Sequence, residues 1–123
     1  MTKNLEKSSF VEICPIRNVV ARFGNKWALL IIILLHENGR TRFNQLGKCI
    51  PDISSKVLAN TLHVLEVDGL LTRTVYPEVP IRVEYELTDS GESLVPIINS
   101  LTDWALNHMK SILKHRKIYE KGL

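Results

Sequence analysis

Every residue from Trp27 to Leu35 is apolar, and the run is bounded by Lys26 and His36. A helix over Lys26 to Glu37 is therefore apolar on all sides, and such a helix is stable only as the covered centre of a core. The run is far short of the roughly 20 apolar residues that a bilayer span needs. A chain of 123 residues is close to the commonest size of one domain, so a single core is expected to assemble around this helix. With 45% hydrophobic and 24% charged residues the composition is that of a globular protein and excludes intrinsic disorder. The first twelve residues are polar, mixed in charge and without an apolar leader segment, which predicts a cytoplasmic chain with no membrane partner. They also lack periodicity, so residues 1–12 are expected to form a flexible arm ahead of one domain over 13–123.

Local signals divide that domain. Cys14-Pro15 opens a first helix in which Val19, Val20 and Phe23 recur at helical spacing until Gly24 ends it. Asn25 caps the apolar second helix, and Asn38-Gly39 stops it. A short third helix is expected over Phe43 to Lys48, followed by a turn at Pro51-Asp52. Ser54 caps a fourth helix over Ser55 to Val67, closed by Asp68-Gly69. At 3.6 residues per turn Val57, Leu58, Thr61, Leu62 and Leu65 share one face, and Lys56, Asn60 and His63 fall on the opposite one. The period then changes to two. Leu71 to Tyr76, the turn Pro77 to Pro80, and the alternation of Val83, Tyr85 and Leu87 with Arg82, Glu84 and Glu86 predict a β-hairpin. Thr88 caps a last helix, expected to kink at Pro96, with a long apolar stripe.

Charge is unevenly spread. Residues 17–56 carry seven basic groups against two acidic, residues 57–109 two against eight, and residues 110–123 five against one. A net charge of only +3 is a weak argument for a polyanionic partner, but this distribution allows one cationic face, the plain alternative being solvated helix surfaces.

A short helix, a turn, a second helix with a polar outer face, and a hairpin directly after it describe an α+β, mainly α chain with a winged helix-turn-helix and a two-stranded wing. The chemistry of such an array suits double-stranded DNA. Helix-start N–H groups with Ser54 or Ser55 bind phosphate, Lys56, Asn60 and His63 reach base edges, and Asn60 is suited to adenine. Arg42 and Asn44 at the start of the third helix are candidates for phosphate contacts, and the hairpin tip with Arg82 is a candidate to lie along a neighbouring backbone or minor groove. Taken singly, each of these residues could be no more than an exposed polar side chain, His63 above all.

The chain resembles the HxlR-type transcriptional regulators, a bacterial winged-helix family related to the MarR-like regulators. The resemblance is carried by Cys14-Pro15, Gly24 to Trp27, Arg42 to Leu46, Ile53 to Leu58, Leu65 to Arg73, Val79-Pro80, Val83 to Thr88 and Gly91. It implies a homodimer held by the first and last helices, with paired recognition helices on an inverted-repeat operator. The stripe Leu94, Ile98, Leu101, Trp104, Ala105 and Ile112 is then the expected dimerisation surface, being longer than one small core covers. The resemblance also places Cys14 at the family's N-terminal redox-sensing position. Cys49 is an addition to the general pattern and is similar to the two-cysteine, disulfide-stress branch, which implies a bond from Cys14 to the partner's Cys49.

Cys14 has its own reason to be reactive. A thiol at a helix N-terminus, with Arg17 nearby, is favoured as thiolate and easily oxidised to sulfenic acid, which a second thiol such as Cys49 traps as a disulfide. A structural role for either cysteine is the alternative. Two cysteines are too few for the framework of a small secreted domain, so any disulfide is expected to be conditional. No metal or other cofactor is expected, since the cysteines and His36, His63, His108 and His115 show no ligand spacing. No nucleotide-binding, metalloprotease or nucleophile-elbow pattern occurs, so no enzyme is expected. Two further readings stay open: a winged-helix regulator answering a small ligand, and a winged helix used for protein interaction.

Overall fold

The computed structural model describes residues 15–122. The expected arm at 1–12, and Cys14, lie outside the described residues.

Helix α1 runs over Pro15–Phe23, and the chain then turns at Gly24 into α2, Ala28–Asn38. The Asn25 side-chain oxygen accepts hydrogen bonds from the Trp27 and Ala28 N–H groups, both at 2.9 Å, satisfying donors that the first turn leaves free. Gly39, with φ of 71°, ends α2 in a conformation that L side chains rarely adopt. Among the described residues α2 touches all the other helices and strand β3, as a helix of that composition must. Ala28, Ile31, Ile32 and Leu35 are fully buried, and of the apolar residues of α2 only Leu30 is exposed.

Strand β1, Thr41–Arg42, leads into α3, Phe43–Cys49. Arg42 is extended and donates its N–H to Gln45 Oε1, which reaches back over the start of α3. The tight turn Ile50 to Ile53 leads to α4, Ser55–Val67, where Ser54 Oγ accepts from the Val57 N–H at 3.1 Å. Leu58, Thr61, Leu62 and Leu65 of α4 are buried. Val57, expected on that face, is exposed because it lies about a quarter-turn from the face's centre.

Strands β2, Leu71–Tyr76, and β3, Arg82–Leu87, form the hairpin, in register from Leu71 opposite Leu87 to Tyr76 opposite Arg82. The sheet has three strands rather than the expected two, in the order β1-β3-β2 and all antiparallel, with Thr41 opposite Tyr85. Two residues carry no alternation to read; β1 exists because β3 offers a free edge.

The last helix is broken rather than kinked. Helix α5, Asp89–Ser93, is capped by Thr88, whose Oγ1 accepts from the Gly91 N–H at 3.2 Å. Helix α6 then starts afresh over Val95–Glu120 with Pro96 in its first turn, the one part of a helix where a missing N–H costs nothing. Gly91 allows α5 to close on the loop after α4: a Cβ there would collide with the Leu70 carbonyl oxygen.

Leu46, Leu58, Leu62, Leu65 and Leu71 complete the core with Tyr85. Of α6 only Val95 and Ile98 are buried, so most of this helix projects beyond the core. No single helix among the described residues is long and apolar enough to cross a membrane.

Candidate nucleic-acid interface

Packing of α4 through Leu58, Leu62 and Leu65 leaves Lys56, Asn60 and His63 exposed, as 3.6-residue periodicity requires. None of the three enters an ion pair or hydrogen bond among the described residues, so each is available to a partner. Ser55 is exposed at the helix start, and Ser54, though it caps the Val57 N–H, keeps its hydroxyl proton for donation. Asn44 is exposed at the start of α3, next to the turn that joins the two helices.

The arginines around the wing are arranged differently from the free cations expected of them. Glu84, with its side chain only 12% exposed, lies among three guanidinium groups: Arg82 Nη1 at 3.2 Å, Arg40 Nη1 at 3.7 Å and Arg42 Nε at 3.8 Å. Arg82 also pairs with Glu78 at 2.9 Å and lies over the Tyr76 ring at 3.8 Å, and its buried Nε has no hydrogen-bond partner. Arg40 donates to Glu86 and to the Tyr76 hydroxyl, and the Glu86 carboxylate, followed by Tyr76, raises the Arg40 pKa above its ordinary value. The alternation Arg82, Glu84, Glu86 was the available signal, since residues two apart on a strand share a face.

Sequence reasoning passed over Arg73. It is exposed on β2 opposite Tyr85, and it lines a cleft of about 450 Å³ with Arg42 and Asn44 on one side and the wing residues from Glu78 to Val83 on the other. It also borders a depression formed with Ala59, His63 and Glu66 of α4.

The stripe on the last helix divides in two. Ile98 belongs to the core of the chain itself, and Leu94 packs half-buried against it. Leu101 and Trp104 are 57% and 55% exposed, and Ala105 and Ile112 are half-buried. Trp104 stacks on His108 with ring centroids 4.3 Å apart. On α1, Ile16 (75% exposed), Val19 and Val20 also face outward. Cys49 is a free, exposed thiol on the last residue of α3. No group of three or more metal-ligating side chains occurs among the described residues.

Residues 22–113 match the family described as HxlR-like helix-turn-helix. The chain is 40% identical over 111 residues to the uncharacterized HTH-type transcriptional regulator YtfH of Escherichia coli, covering 90% of this chain and 87% of that one. Among solved structures it is similar to the putative transcriptional regulator YtfH of Salmonella typhimurium, with a TM-score of 0.76, 38% identity, and 88% and 96% of the two chains covered. It is also similar to the redox regulator HypR in its reduced form, with a TM-score of 0.71, 32% identity, and 81% and 98% covered.

Proposed function

From its membership of the HxlR-like helix-turn-helix family of transcriptional regulators, to which the chain belongs, we propose a homodimeric DNA-binding regulator that senses oxidants through a disulfide between Cys14 and the partner's Cys49. The observation that carries the DNA-binding part is the outer face of α4, where Lys56, Asn60 and His63 stand exposed and unpaired beside a hairpin wing. A helix of 13 residues fits a major groove about 12 Å wide, with amide and imidazole groups at base edges and ammonium groups at phosphates. The exposed apolar side chains of α1 and outer α6 support a dimer that brings two such helices to an inverted repeat.

The exposed Cys49 thiol supports the sensing part, as does the similarity to a protein named as a redox regulator. A peroxide takes the Cys14 thiolate to sulfenic acid and is itself reduced to water. The partner's Cys49 thiolate then attacks that sulfur and expels hydroxide, so two thiols lose two electrons and two protons in all. Because Cys49 closes α3, the first helix of the helix-turn-helix, a bond there displaces the reading helices and alters half-site spacing.

Selection of duplex DNA by the reduced protein tests the reading. It predicts an inverted repeat with half-site centres about 10 base pairs, or a multiple of that, apart, and an affinity for it that changes on peroxide treatment. A selected site without symmetry, or binding indifferent to salt, would contradict it.

A further inference from the structure

We propose that Arg73 is the cation through which the hairpin meets the DNA backbone beside the stretch read by α4, and that Arg82 is not. This rests on the DNA-binding reading above and assigns a contact within it.

Strand alternation separates the two arginines. Leu71, Arg73 and Val75 lie opposite Leu87, Tyr85 and Val83, and the burial of Leu71 and Tyr85 marks this as the face turned towards the core and α4. Tyr76, opposite Arg82, and Thr74, opposite Glu84, lie on the other face. Arg82 thus starts from the face away from α4, and although it lines the cleft that Arg73 also lines, it is held there by Glu78 and Glu84 and stacked on Tyr76. Binding a phosphate would require it to give up carboxylates that already hold it.

Arg73 enters no ion pair among the described residues. It occupies the junction of two concavities, one shared with Arg42 and Asn44 at the start of α3, the other with Ala59 and His63 of α4. Glu66 borders the second concavity without pairing to it. A helix about 10–12 Å across fills the major groove, so whatever flanks its exposed face meets the sugar-phosphate strand that bounds the groove. The planar fork of an unpaired guanidinium beside His63 matches two phosphate oxygens there.

The test is binding of a mixed-sequence 30-base-pair duplex to the full chain at 50 to 200 mM salt, comparing wild type with Arg73→Gln, Arg73→Lys and Arg82→Gln. Losing one phosphate contact lowers the salt slope by about 0.9, so the wild-type loss of affinity across this range shrinks about 3.5-fold. We expect that change in Arg73→Gln, recovery in Arg73→Lys, and an unaltered slope in Arg82→Gln, with melting curves confirming that each variant folds. An unchanged slope in Arg73→Gln overturns the proposal, and so does a reduced slope in Arg82→Gln. A wild-type chain that shows no salt-dependent binding at all refutes the DNA-binding reading instead. Should Arg73→Gln not fold, Arg73→Glu and Arg73→Lys bracket the same slope: equal slopes in both overturn the assignment.

Discussion

Arg22 on α1 reaches Asp68 at the end of α4, with Nε 3.4 Å from Oδ2. The helix that begins directly after Cys14 is thus tied to the helix that carries the candidate reading residues. A small cleft lined by Ala21 and Arg22 of α1 and by Asn60 and Thr61 of α4 runs beside the same contact. Under the proposed disulfide switch, a displacement of α1 would have a direct route to Asn60, in addition to the proposed route through Cys49 and α3.

Arg22→Ala tests that route. The pair is partly exposed, so its loss should cost less than about 1 kcal/mol of stability. The ratio of reduced to oxidised DNA affinity should move towards one while the reduced protein still binds. A variant that keeps the full ratio would assign all the coupling to α3.

Lys56→Ala and Asn60→Ala should fail in different ways. Removal of the ammonium group weakens binding to every sequence and flattens the salt slope by about one unit, whereas removal of the amide relaxes discrimination at one base pair by about 1–3 kcal/mol. Titrations against the selected site and single-base variants of it separate the two. Unchanged operator affinity in both would move the reading face elsewhere.

Glu84→Gln should lower stability and raise non-specific DNA affinity together. Three guanidinium groups lose the carboxylate they share, leaving a partly buried cation under-compensated at a cost of about 1–3 kcal/mol. Arg42, whose one ion pair among the described residues is with Glu84, then becomes available to phosphates while Arg40 stays on Glu86, and the salt slope steepens. A stable variant with wild-type slope would show that the network has no part in restraining these cations.

The divided stripe on α6 predicts two separable phenotypes. Ile98→Ala removes a core side chain and should cost about 2–5 kcal/mol in unfolding. Trp104→Glu alters an exposed side chain and should shift the dimer to monomer in sedimentation with the core intact. A Trp104→Glu protein that remains a dimer at micromolar concentration would place the interface on another surface.

What could be read in the sequence was what local physics decides. The Ser54 cap, the span Ser55–Val67 and the exposure of Lys56, Asn60 and His63 follow from hydroxyl chemistry and helical period alone, and all appear in the structure. So do Asn25 as a cap and the hairpin from Leu71 to Leu87. What depends on distant partners stayed hidden. Strand β1 needs the edge of β3, and the ion pairs of Glu84 need Arg40 and Arg42 to arrive from 44 and 42 residues away. The division of the α6 stripe depends on how much of that helix α2 covers. Arg73 was invisible as a site residue because its significance is the absence of a carboxylate partner beside α4, which no spacing along the chain encodes.

The most direct measurement of the sensing claim is non-reducing denaturing electrophoresis of the purified chain after a brief peroxide pulse, run beside Cys14→Ala and Cys49→Ala. A bond between Cys14 and the partner's Cys49 requires their Cα atoms to come within about 7 Å, and it predicts a covalent dimer that disappears on reduction. Either substitution should abolish that band while leaving the non-covalent dimer in sedimentation unchanged. Oxidised wild-type protein that still migrates as a monomer, or a covalent dimer that survives either substitution, would contradict the intersubunit switch.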